Sequence, residues 1–169
     1  MASRSSSAQN GAPDWQTPVV EGVGPALYLP EAAAQPDTSL TYRVVFDVTR
    51  AGEEGRPPAG LSQVARFFNS FALHGVDPAD LDLVAVFHGP SIPAVLSDEA
   101  YAARVGGENP SADLLTRLHE LGVRIYVCGN ALAGSGYTPD ELRPDVELAT
   151  SALAVLTTFQ LRGYAVLDY

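Results

Sequence analysis

The chain has little of what builds cross-links or nucleic-acid contacts. It holds one cysteine, Cys128, so it cannot form an internal disulfide. With three histidines and that single thiol it also falls short of the ligand sets of structural zinc sites. Basic residues number 10 against 20 acidic ones, a formal net charge of -10. That balance argues against nucleic acid, whose recognition needs a basic footprint. It argues equally against anionic membrane surfaces. No run is long and apolar enough to span a bilayer. The N-terminal MASRSSSAQNGAPDWQTP lacks the apolar stretch of a signal peptide. The expected location is the cytoplasm, or the periplasm if a leader has been removed. Several motifs are missing too. TRAGEEGRPPAGL has neither a dinucleotide fingerprint nor a Walker pattern, and no nucleophile elbow occurs anywhere. No two histidines have metal-ligand spacing, and no internal repeat is visible. The sequence calls for no metal and no cofactor.

What is present fits one domain of 169 residues with 46% hydrophobic content. Residues 1–14, rich in Ser, Ala, Gly and Pro, read as a disordered tail. Residues 15–39 read as an extended proline-rich arm. Trp15, Val19, Val20, Val23, Leu27, Tyr28 and Leu29 are interleaved there with Pro18, Pro25, Pro30 and Pro36. Residues 40–169 then alternate strand and helix patterns. Tyr42–Val48, Leu81–Phe87, Val123–Val127, Val146–Leu148 and Tyr164–Leu167 read as strands. Leu61–His74 has helical apolar spacing, with Gly75 placed to close it, and Ser111–Leu121 is closed by Gly122 in the same way. Pro90–Ala103 reads as one or two short helices started at Ser97, and Thr138–Leu142 as another. Thr150 or Ser151 caps a helix to about Arg162.

This alternation predicts an α/β fold: a three-layer sandwich around a roughly five-stranded parallel sheet. In such sheets ligands bind outside the carboxyl ends of the strands. Asp47 and Thr49, His88, and Cys128 with Gly129 and Asn130 follow the first three strands. In VRIYVCGNALAGSG, Cys128 falls between a strand end and a short helix through Ala131–Ala133, which Asn130 is placed to cap. Free amides at a helix start favour a thiolate. A free cysteine more often behaves as a buried small hydrophobe. His74 and His119 lie at helix C-terminal ends, where dipole interaction accounts for them.

The segments YRVVFDVT (42–49), VARFFN (64–69), VAVFHGP (84–90), VLSDEAY (95–101) and IYVCGNAL (125–132) resemble the DsrE/DsrF-like family, in its less characterised branch. The resemblance runs from about Leu40 to Tyr169, and His-Gly-Pro and Cys-Gly are its more specific pieces. It implies a five-stranded parallel sheet and homo-oligomers, commonly trimers or hexamers. Some members relay sulfur as a persulfide on a cysteine after a strand, and Cys128 matches that position. Relay members often carry Arg-Gly shortly after the cysteine, where this chain has Ser135-Gly136.

The expected function is therefore a sulfur carrier or sulfurtransferase-like protein. Cys128 would hold the persulfide, with His88, Asp47, Thr49, Gly129 and Asn130 lining the pocket. Its partners would be donor and acceptor proteins and further copies of itself. The alternative is a non-catalytic oligomeric binding or scaffolding module. The last helix, with Leu153, Val155, Leu156, Phe159 and Leu161, is apolar nearly all round and is expected, with the arm, at an interface.

Overall fold

A computed structural model describes residues 12–169. The tail expected over 1–14 thus lies almost wholly outside the described residues. Five strands form one parallel sheet in the order β4-β3-β2-β1-β5. They are β1 (Tyr42–Val48), β2 (Leu81–Phe87), β3 (Arg124–Cys128), β4 (Glu147–Ala149) and β5 (Ala165–Asp168). The helices are α1 (Ala59–Leu73), α2 (Asp98–Arg104), α3 (Ala112–Glu120), α4 (Gly129–Gly134) and α5 (Ala152–Leu161). Short 3-10 segments at Pro78–Asp80, Gly89–Val95 and Pro139–Glu141 complete the connections. The parallel sheet and its helices are those that strand–helix alternation predicts. The stretch 90–103 resolves into a 3-10 segment and α2, because Pro93 lies inside the first and Ser97 starts the second by accepting from the Ala100 amide.

Period-two alternation splits the core into two layers. Val44, Phe46 and Val48 of β1 face the same layer as Leu83, Ala85 and Phe87 of β2 and Ile125 and Val127 of β3. They meet Leu61, Val64, Ala65 and Phe68 of α1, spaced at i, i+3, i+4 and i+7, and Leu114, Leu115 and Leu118 of α3. The opposite face sends Val45, Val84 and Val86 against Ala152, Val155 and Phe159 of α5. That face has one helix, and α5 leaves its outer side in water: Leu153 is 78% and Leu161 85% exposed. Ser151 caps α5 by accepting from the Ala154 amide. No helix among the described residues is long and apolar enough to cross a membrane.

Residues 15–39 run without helix or strand across the outside of α1, apart from one antiparallel bridge between Gln16 and Ala26. Val20 and Ala26 are buried. Asn69 of α1, fully buried, holds the segment. Its Oδ1 accepts from the Val19 and Val20 amides, both at 2.9 Å, and its Nδ2 donates to the Val23 and Gly24 carbonyls at 2.8 and 3.1 Å. Gly24 has φ +60°, and a Cβ there would sit 2.3 Å from the Arg66 amide nitrogen. Only glycine lets the two backbones approach so closely. Further along, His74 donates from Nδ1 to the Ser70 carbonyl and accepts from the Leu29 amide at Nε2, and its ring packs on Tyr28. A histidine whose place the helix dipole explains thus also fastens the arm, through a contact 45 residues away in sequence.

Candidate functional site

The carboxyl edge of the sheet gathers the predicted residues, though not all in one place. β2 and β3 are in register up to Phe87 and Val127. His88 and Cys128 are the next residue on each, so they follow paired positions of neighbouring strands. Phe87 and Val127 face the α1/α3 layer, so alternation turns His88 and Cys128 to the α5 face. Asp47, following Val45's side of β1, shares that face, and its Oδ1 lies 2.7 Å from His88 Nε2. Both side chains are part-buried. A carboxylate on one ring nitrogen orients the ring and sets the tautomer of a neutral imidazole. The His88 amide donates to the Val48 carbonyl, and Ser91 Oγ bonds the Val48 carbonyl as well, so the backbone after β2 is pinned to the end of β1.

Cys128 departs from the expected arrangement. It ends β3 and is itself the N-cap of α4: its Sγ accepts from the Ala131 amide at 3.4 Å. Asn130 is not the cap. Helix α4 already begins at Gly129, which puts Asn130 in its first turn, exposed to solvent. Sulfur is a weak acceptor, and the contact aims the Ala131 amide at it. Cys128 is 6% exposed and shares an apolar cluster with Val155 and Phe159. Gly129 fits its place by size: a Cβ would lie 2.8 Å from the Ala149 carbonyl oxygen, so glycine lets α4 start against the end of β4. Thr49 lies apart from the thiol. Its amide and hydroxyl both reach the Tyr169 carbonyl, at 3.4 and 3.5 Å, and tie β1 to the end of β5. Of the predicted set, then, Asp47, His88 and Cys128 share one face and level, Gly129 supports the turn, and Thr49 and Asn130 point to other tasks. Among the described residues no three His, Cys, Asp or Glu side chains converge as a metal site would require.

A second polar group on the α5 face escaped sequence reading. Arg124 donates to Asp82 Oδ1 at 2.5 Å and to the Tyr164 hydroxyl at 2.8 Å, and that hydroxyl donates to Asp82 Oδ2. The guanidinium lies 4.9 Å from the Phe159 ring centroid. Desolvation opposes its charge, but Tyr164 and Asp82 outweigh that and hold its pKa above the ordinary value. The signal was slight: Asp82, Arg124 and Tyr164 each stand at the amino end of a strand, and only the pairing of β2 with β3 and the return of α5 unite them.

Two solved structures share this architecture. MTH1491, a protein of unknown function from Methanobacterium thermoautotrophicum, is 23% identical, with a TM-score of 0.53, over 76% of this chain and 99% of its own. The ychN protein from E. coli is 19% identical, with a TM-score of 0.54, over 75% of this chain and 99% of its own. No curated protein matches the chain. The family model described as the DsrE/DsrF-like family matches residues 43–169, from the first strand to the last residue, and the chain belongs to that family.

Proposed function

We propose that the chain is a sulfur carrier working in the cytoplasm, with Cys128 as the atom that takes and gives sulfur. The carrying observation is the juxtaposition at the sheet edge: a thiol whose sulfur accepts an amide N–H, beside a histidine already bonded to Asp47. In the loading step the Cys128 thiolate attacks the outer sulfur of a donor persulfide, R–S–SH. A sulfur–sulfur bond forms to Cys128, the donor's own sulfur–sulfur bond breaks, and the donor leaves as R–S⁻. Unloading repeats the step with an acceptor thiolate attacking the sulfur held on Cys128. His88 takes the thiol proton and, as imidazolium, balances the anion, while Asp47 keeps its ring in place. Gly129 forms the turn after the thiol, and Asn130, exposed in the first turn of α4, meets the partner proteins. The carrier works as a homotrimer or homohexamer, using the apolar outer side of α5.

The test uses a small-molecule alkyl persulfide and intact-mass measurement. Wild type gains one sulfur atom, Cys128→Ser gains none, and His88→Ala gains it more slowly. No added sulfur on wild type, or equal addition to Cys128→Ser, sinks the reading.

One observation favours a second reading, an oligomeric binding module with an inert cysteine: Cys128 is buried against apolar side chains of α5. Thiol titration separates the two. A thiol that reacts in the native protein supports the carrier, and one that reacts only after denaturation supports the module.

A further inference from the structure

We infer that the chain has an anion-binding site two strands along the carboxyl edge from Cys128, fitted to a phosphate-bearing small molecule. The site is a cavity of about 630 Å³ between the arm at Gly22–Pro25, the loop after β1 and the first two turns of α1. Three arginines line it, Arg50, Arg56 and Arg66, against one carboxylate, Glu53. The chain has no lysine, so its ten basic residues are all arginine. Three of them meet here in a protein of formal net charge -10. Arg56 pairs with Glu53 at 3.7 Å across an exposed contact. Among the described residues Arg50 and Arg66 have no ion-pair partner, as Arg43 and Arg162 have none, whereas Arg104, Arg117, Arg124 and Arg143 each have at least one. Two unpaired guanidiniums facing one hollow repel each other, and an anion between them removes that repulsion and accepts their paired N–H groups.

Topology places the hollow where α/β sheets bind ligands. From β1 the chain passes through α1 on one face to β2, while β5 arrives on the other side of β1 through α5 on the opposite face. The order of strands therefore reverses between β1 and β5, and the loop carrying Arg50 and Arg56 leaves the sheet at that switch point. The end of α1 is consistent with an anionic guest. It has no side-chain cap, because Pro58 holds that position, and no acidic residue in its first turn. The arm closes the far wall, held by Asn69 at the Val23 and Gly24 carbonyls. None of this depends on the chemistry of Cys128.

The experiment titrates the full chain with pyrophosphate at constant ionic strength, read by calorimetry and by amide NMR shifts. The expected result is saturable one-to-one binding, with shifts centred on Ala59, Gly60 and the loop 50–56. Arg50→Gln combined with Arg66→Gln weakens binding by about tenfold or more, as loss of charge-assisted hydrogen bonds requires. Arg162→Gln, which removes an exposed arginine near α5, leaves it unchanged. Absence of saturable binding, shifts centred elsewhere, or an equal loss in Arg162→Gln overturns the inference. Inorganic phosphate in a parallel titration separates recognition of a free ion from that of a larger phosphorylated molecule. Binding as tight as pyrophosphate's would overturn the small-molecule assignment.

Discussion

Replacing Asn69 by alanine should cut the arm loose from the domain. The amide side chain makes its bonds with no access to water: two backbone N–H groups donate to Oδ1, and Nδ2 donates to carbonyls of Val23 and Gly24, with Val20 a third acceptor at 3.3 Å. Alanine leaves those backbone groups without partners. Each buried orphan costs about 1–3 kcal/mol, so keeping the arm docked would cost more than about 5 kcal/mol. The chain has a cheaper way out, which is to peel the arm off and hydrate it. The loss is then bounded by what docking contributes, chiefly the burial of Val20 at about 1.5–3 kcal/mol and a smaller part from Ala26. The expected loss in urea unfolding is about 2–3 kcal/mol. Limited proteolysis should then cut within residues 15–36 while 42–168 stays intact. Asn69→Asp is the sharper variant. Its shape is unchanged, yet an oxygen replaces the donor that faced Val23 and Gly24, so the arm should loosen at neutral pH and tighten in acid, where a protonated carboxyl donates again. A loss under about 0.5 kcal/mol in Asn69→Ala, with the arm still protected, would refute the claim that this side chain holds it.

Other outcomes follow from single contacts. Leu153→Glu with Leu161→Glu should reduce the oligomer to a monomer in light scattering without unfolding it, since both side chains point into water; a monomeric wild type would refute self-association. His74→Ala should expose the arm near Tyr28 and Leu29 to protease while leaving the Asn69 end docked, because it removes the Leu29 acceptor and the ring under Tyr28. Burial and then the nearby Glu147 carboxylate push the Tyr126 phenol above its ordinary value. Unfolding therefore eases its ionisation, so stability present below about pH 10 is lost as pH rises through the folded-state value. Tyr126→Phe should flatten that loss in denaturation curves taken above pH 9.5 to about pH 11, and an unchanged slope would count against the assignment.

The sequence by itself determined the element order, because apolar residues at period two or at 3.6 state which side of an element is buried. The run Tyr42–Val48 and the spacing Leu61, Val64, Ala65, Phe68 can satisfy their pattern in one way only. It also told that Asp47, His88 and Cys128 sit at strand ends, and strand ends of a parallel sheet share an edge. It was silent on register. That Cys128 and His88 follow paired positions on the same face depends on Phe87 pairing with Val127, a contact across 40 residues of chain that no local pattern encodes. Cap identity was lost for a related reason. Asn130 is the better cap by propensity, but Gly129 packs against the Ala149 carbonyl, so α4 starts two residues earlier and the sulfur receives the amide. Asn69 is one of several polar residues on α1, and only the docked arm supplies the five backbone groups that it satisfies. The arginines around the loop after β1 were three separate charges until the arm and α1 closed a cavity between them. Periodicity reports which face of an element is covered; what covers it is decided by the rest of the chain.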